Sequence, residues 1–349
     1  MKRCSRCILP ETIPGIIFDQ DGVCNFCSDY RKFDGFDEED LHKLVHSNIQ
    51  SNDKYDCIVP LSGGRDSTFV LYYAKAVLGL KVLAVNFDNE FQTEQAIKNI
   101  TNACKILDID LFRFSSRINI AHKIVHNSIH LSLPFGLLGI SKHLCSACTY
   151  GYRSIAYQSA IKYNVPFIFW GESQNEATQS IELALAQKFN IQLKRNLLNL
   201  YTYRTRFFKI LQRIELRVPG NNIFSISPVK LKNPYIKEIR LFDYIPWDRM
   251  KIKDTIVKEL SWEKPKDNIS SWRIDCRLHP FINYCHVKLF SCTKDCLGYC
   301  NMINDNQMNR SEALLQENEL LNVDMEYLYD LLHKDIGLSK TTANKVLQL

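Results

Sequence analysis

Tyr55–Ser67, read as YDCIVPLSGGRDS, drives a buried strand into a tight glycine turn and then into a helix. Ile58, Val59 and Leu61 give Tyr55–Leu61 the β-branched and aliphatic content of a strand covered on both faces. Ser62-Gly63-Gly64 breaks it, because two glycines allow backbone angles and a close approach that side chains forbid. Thr68–Val77 carries apolar residues around most of its circumference, and Gly79 stands where a helix C-terminus favours glycine. Such a junction is an anion site: free N–H groups point one way, with the positive end of the helix dipole behind them. Phosphate or pyrophosphate is the natural occupant. A ligand-free turn would use the same two glycines, so the flanking residues decide. Ser62 and Ser67 add hydroxyls, Arg65 adds a bidentate phosphate partner, and Asp66 offers a carboxylate to hold Mg²⁺ against phosphate oxygens. Neither the spacing nor the lysine of the Gly-x4-Gly-Lys-Ser/Thr loop is present.

Strand and helix patterns continue to alternate beyond Gly79. Lys81–Phe87 predicts a second strand ending at Asp88, Thr93–Leu107 an amphipathic helix, Asp110–Phe114 a third strand, and Val165–Trp170 a fourth ending at Gly171-Glu172-Ser173. The pattern predicts an α/β fold, a doubly wound parallel sheet with ligands at the strand C-terminal ends. A short helix over Asp37–Ile49 precedes it, a strand–helix stretch follows Pro228, and short amphipathic helix fills Glu312–Leu349. The expected organisation is a module over 1–30, a connector over 31–54, the α/β domain over 55–280, and a Cys-rich, helical region over 281–349.

Thirteen cysteines are many for a chain whose first residues show no 7–15-residue apolar h-region, the mark of a signal peptide. A cytoplasmic location is expected, and there metal explains cysteine better than disulfides do. No stretch approaches the ~20 apolar residues of a membrane span. Cys4-x2-Cys7 and Cys24-x2-Cys27 are two knuckles joined by a hairpin turning at Asp19–Gly22; together they offer a closed tetrahedral Cys4 shell for structural zinc. Cys145-x2-Cys148 opens the helix-like Thr149–Tyr163. It reads as a redox dithiol, as half of a metal site, or as two buried cysteines. Cys285, His286, Cys292, Cys296 and Cys300 crowd together later; the cysteines fit a second zinc site or reduced thiols in a helical turn. The net charge of +6 suits phosphorylated or nucleotide-linked substrates. A basic cluster from Lys194 to Arg217 reads either as a solvated helix face or as a surface for RNA or an anion.

The Ser62–Ser67 turn resembles, at every specified position, the Ser-Gly-Gly-x-Asp-Ser loop of the PP-loop ATP pyrophosphatases, the adenine nucleotide alpha hydrolase-like superfamily. Its members split ATP into AMP and pyrophosphate. The resemblance implies ATP and Mg²⁺, pyrophosphate binding by Ser62, Gly63, Gly64, Arg65, Asp66, Ser67 and Thr68, and adenosine-side contacts from Asn86, Phe87, Asp88, Gly171, Glu172 and Ser173. Asp66 is expected to position metal or phosphate; a catalytic role for Arg65, at the loop's variable position, is inferred from its charge alone.

Two branches of that superfamily are similar to this chain. Cys4-x2-Cys7, Pro10-x-Thr12-x-Pro14-Gly15, Phe18-Asp19, Gly22-Val23-Cys24-x2-Cys27, Tyr55-Asp56-Cys57, Thr293-Lys294-Asp295, Gly298-Tyr299, Ile303 and Arg310-x-Glu312-Ala313-Leu314 resemble the N-acetyl sugar amidotransferases of bacterial surface-glycan pathways. That resemblance implies conversion of an acetamido to an acetamidino group on a nucleotide-linked N-acetyl sugar, with ammonia from a separate glutaminase subunit; a homodimer is compatible. The order Cys145, Cys148, Cys276 resembles the thiolating tRNA-modification enzymes, whose three thiolates hold a [4Fe–4S] cluster. Under that alternative, sulfur is transferred to tRNA or a small molecule.

Overall fold

Five strands hydrogen-bond side by side in the order β3-β2-β1-β4-β5, every neighbouring pair parallel. They are β1 (Cys57–Pro60), β2 (Val82–Phe87), β3 (Asp110–Phe114), β4 (Phe167–Trp170) and β5 (Lys237–Arg240). The computed structural model describes residues 1–49, 54–115, 119–133, 136–172, 234–265 and 274–349. Ser173 and the basic cluster from Lys194 to Arg217 lie outside the described residues.

The register pairs Cys57 with Val82 and with Phe167, so β1 has neighbours on both sides. Burial of β1, β2 and β4 on both faces explains their unbroken apolar runs. The chain winds from β1 outward through β2 to β3 and then returns to β4 on the other side of β1. That reversal places a crevice at the C-terminal end of β1.

The helices expected over Asp37–Ile49 and Thr93–Leu107 are present, with ends set by capping; those over Ile120–Ser132 and Gly136–Leu144 are additional to what the sequence predicts. A single turn, α1 (Asn25–Ser28), follows Cys24; Asp37 caps α2 (Glu38–His46) by accepting from the Asp40 N–H, and Thr93 caps α4 (Glu94–Ile106) through the Ala96 N–H. The helix after the glycine turn, α3 (Arg65–Tyr72), begins earlier than the Thr68 start its apolar run predicts. Gly64 is its extended N-cap residue, and the Thr68 hydroxyl donates to the Gly64 carbonyl at 2.7 Å. Arg65, Asp66 and Ser67 therefore occupy its first turn. A π-helical turn, Tyr73–Val77, continues it. Between β3 and β4 run α5 (Ile120–Ser132), α6 (Gly136–Leu144) and α7 (Ser146–Lys162); the strand–helix stretch expected after Pro228 is β5 and α8 (Arg249–Leu260).

The C-terminal region is helical: α9 (His279–Phe290), α10 (Cys296–Asn304), α11 (Arg310–Leu321), α12 (Met325–Asp330) and α13 (Lys340–Gln348). Its first half packs onto the N-terminal cysteine module. Cys4, Cys7, Ile8, Leu9 and Ile13 share one buried cluster with Cys292, Cys296, Tyr299 and Cys300 and with the underside of β1 and α3. Arg310 donates to the Cys7 carbonyl at 2.9 Å and to the Cys4 carbonyl at 3.1 Å.

Candidate active site and cysteine centres

The glycine turn lies at the C-terminal end of β1, in the sheet's crevice. Gly63 has φ +82°, and a Cβ there would fall 2.3 Å from the Ala96 carbonyl oxygen, so only glycine allows this approach to α4. Its carbonyl accepts from Trp262 Nε1 at 3.0 Å and Asn99 Nδ2 at 3.3 Å. Ser62 and Ser67 face each other, hydroxyl to hydroxyl, at 3.1 Å, while the Gly64 N–H donates to Ser62 Oγ. These groups cluster where α3 begins, and a helix N-terminus is an anion-binding position. Gly171 closes the other wall: a Cβ there would meet the Ser67 nitrogen at 3.1 Å.

Three residues of the predicted loop are engaged with other groups of the chain. Arg65 is buried; its Nε–H and Nη2–H donate to Asp66 Oδ1 at 2.9 Å and Oδ2 at 3.1 Å, and its guanidinium lies 4.9 Å from the Trp247 ring centroid. Trp247 Nε1–H also donates to Asp66 Oδ1 at 3.2 Å. Arg65 and Asp66 thus neutralise each other beneath an indole from the β5–α8 connection, which only the fold could reveal. Thr68 is fully buried and spends its hydroxyl on Gly64.

A carboxylate that carries no motif of its own also lies against the turn. A Cβ on Gly64 would lie 3.5 Å from Asp275 Oδ2 and 3.2 Å from Ser62 Oγ. The segment Ile274–Arg277 runs beside Phe91–Thr93: Thr93 N–H donates to the Asp275 carbonyl, Arg277 N–H donates to the Phe91 carbonyl, and Gln92 bridges Cys276. In the sequence, Asp275 is marked only as a neighbour of Cys276.

On the expected adenosine side, Asn86 fits best. It is buried, its Nδ2 donates to the Leu61 carbonyl at 2.7 Å, and its buried Oδ1 has no hydrogen-bond partner among the described residues. A buried acceptor of that kind calls for a donor, which an adenosine base or ribose can supply. Phe87 stacks on Phe114 and fills the space left by Gly151 on α7. Asp88 is committed to the ends of β2 and β3, accepting from Arg113 at 2.8 Å and Ser115 at 3.2 Å. Glu172 pairs with Arg153 at 2.6 Å.

Cys4, Cys7, Cys24 and Cys27 bring their thiols within 4.8 Å of one another, all buried. The hairpin that does this turns as the sequence predicts, with Asp19 Oδ1 accepting from the Asp21 and Val23 N–H groups and Phe18 bridging Cys24. Cys7 and Cys24 sulfurs are 3.8 Å apart. A tetrahedral ion with metal–sulfur bonds of about 2.3 Å demands a separation of about 3.8 Å, so the set fits a metal ion. The hydrogen bond from Cys7 draws the Cys4 thiol down to about 6.

The four later cysteines do not form one set. Cys300 turns to the N-terminal module, 3.7 Å from Cys27. Cys285 packs with Phe281, Leu328 and Leu332, and burial pushes its thiol up to about 12. Cys292 and Cys296 meet each other and Glu317 instead. The reason is helical geometry: Cys285 and Cys300 sit in different helices whose buried faces belong to different cores.

Cys145 is the N-cap residue of α7 and Cys148 lies in its first turn, accepting from Asn89 Nδ2 at 3.4 Å. Burial, then the charge of Asp275, then Cys148 and Cys145 push the Cys276 thiol up. Cys276 follows Asp275, which lies against the glycine turn, and bridges Gln92, three positions after the Asn89 that donates to Cys148. The sulfurs of Cys145, Cys148 and Cys276 are not packed as tightly as the two sets above; an iron–sulfur cluster, with its thiolates on separate irons, spreads its ligands more widely than one ion does.

Among the described residues no helix is long and apolar enough to cross a membrane. Residues 38–130 match the NAD synthase family model, a stretch that runs from α2 through the glycine turn into α5. An uncharacterized protein of Methanocaldococcus jannaschii is 28% identical over 113 residues, 31% of this chain. The chain spans 41% of the length of that curated relative. Among solved structures, the U34-tRNA thiolase NcsA from Methanococcus maripaludis, with its [4Fe–4S] cluster, is 13% identical over 93% of this chain and 90% of its own, with a TM-score of 0.37. NMN synthetase from Francisella tularensis is 12% identical over 86% and 95%, with a TM-score of 0.40. Between residues 38 and 130 this α/β chain is therefore similar to NAD synthase, and that stretch holds the Ser62–Ser67 turn.

Proposed function

We propose that the protein is an ATP-dependent amidotransferase that adenylates the acetamido oxygen of a nucleotide-linked N-acetyl sugar and replaces it with ammonia. The observation that carries the ATP chemistry is the Ser62–Ser67 turn at the C-terminal end of β1, with the Asp275 carboxylate against it. An amide carbonyl is a poor electrophile, and its oxygen is a poor leaving group. Attack by that oxygen on the ATP α-phosphorus breaks the α–β bond, releases pyrophosphate and leaves an O-adenylyl imidate. Ammonia then adds at the imidate carbon, AMP departs with the oxygen, and an acetamidino group remains.

The protein's part is alignment and charge. Gly63 and Gly64 open the turn to the β- and γ-phosphates, Ser62 and Ser67 turn their hydroxyls from each other to the leaving pyrophosphate, and the α3 N-terminus lies behind them. Asn86 Oδ1 accepts from the adenosine. With Arg65 engaged on Asp66, Asp275 is the carboxylate that would hold Mg²⁺, whose charge would offset that of the departing pyrophosphate. Zinc at Cys4, Cys7, Cys24 and Cys27 is structural, since four thiolates leave no open position. A glutaminase subunit supplies ammonia, and the setting is the cytoplasm.

Cys145, Cys148 and Cys276 favour a second reading, iron–sulfur-dependent thiolation of tRNA or a small molecule. Both readings share adenylation and differ in the nucleophile. Purification without oxygen separates them. Iron and acid-labile sulfide, with a chromophore lost in Cys145→Ala, favours thiolation. A colourless protein that forms AMP, pyrophosphate and an amidino sugar from ATP, ammonium and a nucleotide-linked N-acetyl sugar favours amidotransfer.

A further inference from the structure

Helix α11 buries two of its residues, Ala313 and Glu317, one turn apart on its inward face. An apolar side chain is what that position calls for, yet a carboxylate at 0% exposure fills it. Both its oxygens lean on Thr293: Oε1 accepts the backbone N–H at 2.8 Å and Oε2 accepts the hydroxyl. Those bonds fix its orientation and leave further lone pairs.

Two thiols stand beside it. Ser291, at φ +56°, ends α9 and reverses the chain; Cys292 comes next, and Cys296 is the first residue of α10. Cys292 and Cys296 are 1% and 0% exposed, and their sulfurs and a Glu317 oxygen all lie within 4.8 Å of one another. We propose that Cys292, Cys296 and Glu317 form a second metal site, separate from the N-terminal Cys4 set, that takes a divalent ion of the zinc class.

Charge balance adds to proximity. Two thiolates and a carboxylate cannot share an interior unless cations pair them. Arg3 stands beside the site, donating to the Ile8 carbonyl at 2.6 Å and to the carbonyl of Ser291, the residue before Cys292, at 3.4 Å. A divalent cation and Arg3 together cancel the three negative charges. Thiolates with one carboxylate suit zinc rather than the oxygen-seeking Ca²⁺ or Mg²⁺, and three protein donors leave a tetrahedral position for water. The ion would tie the α9–α10 turn to α11 and, through Cys296 beside the Ile8 carbonyl, to the N-terminal module.

The plainer alternative is a hydrogen-bonded Glu317–Thr293 pair next to two reduced thiols. Zinc measurements on the full chain separate the two, with Cys145→Ser and Cys148→Ser in place so that those thiols contribute nothing. We expect two zinc ions per chain by native mass spectrometry. Zinc X-ray absorption is expected to show a first shell of sulfur near 2.3 Å with oxygen near 2.0 Å. Glu317→Gln keeps an acceptor for Thr293 but removes the charge, and it should lose one of the two ions. One zinc per chain, a sulfur-only shell, or two ions retained in Glu317→Gln would each overturn the site; the first two need no ligand variant to fold.

Discussion

Asp275 Oδ2 lies against Gly64, where a Cβ would come within 3.5 Å of it, although 211 positions separate the two in sequence. A carboxylate at an anion-binding turn repels phosphate unless a cation stands between them. Asp275→Asn should therefore lower pyrophosphate release by roughly 10²-fold and raise the Mg²⁺ concentration needed for half-maximal rate. Steady-state assays across a Mg²⁺ titration check this; an unchanged Mg²⁺ requirement would remove Asp275 from the metal's reach.

Arg65 is expected to support the turn rather than to act on phosphate. Its side chain and that of Asp66 are 6% and 13% exposed, and removing one partner of such a pair leaves a buried charge. Arg65→Met should cost about 3 kcal/mol of folding free energy. Chemical denaturation reads this directly. An arginine acting on the transition state would instead leave stability intact and lower the rate alone.

Arg310 locks the cysteine module from outside. Its guanidinium donates to the carbonyls of both Cys4 and Cys7, holding the first knuckle closed. Arg310→Ala should lose about 2 kcal/mol, the worth of hydrogen bonds from a charged donor, and should release metal to a chelator faster. Release kinetics identical to the parent chain would make those bonds incidental.

Burial pushes the His286 imidazole down to about 3; Lys294 and His279 act in the same direction and Asp295 opposes them. Between about pH 6.5 and 3 the unfolded chain thus binds a proton at this position that the folded chain does not. Its contribution to stability is complete above the unfolded value and is lost as pH falls through that window. His286→Phe should flatten the pH dependence of unfolding there; a parallel curve would place the acid sensitivity elsewhere.

Local patterns are readable where one segment decides its own fate. Alternation of strand and helix, the helix starts at Asp37 and Thr93, the Asp19 hairpin and the two knuckles all arise from near neighbours in sequence, and each stands in the structure. Contacts between distant segments are not readable in that way. Trp247 over Arg65, Trp262 and Asn99 on the Gly63 carbonyl, and Asp275 at Gly64 depend on how the later helices return to the sheet. The dense run from Cys285 to Cys300 suggests one site, but helical spacing sends its thiols to three places. Glu317 leaves no signal, since a glutamate in a polar helix reads as solvated until the fold buries it.

The central claim is that the Ser62–Ser67 turn holds pyrophosphate while ATP is cleaved between its α- and β-phosphates. Product analysis with ATP, Mg²⁺, ammonium and a nucleotide-linked N-acetyl sugar tests it most directly, comparing the parent chain with Ser67→Ala. The account predicts AMP and pyrophosphate in equal amounts, with a rate roughly 10²-fold lower in the variant. ADP and phosphate as products, or equal rates in the two proteins, would contradict it.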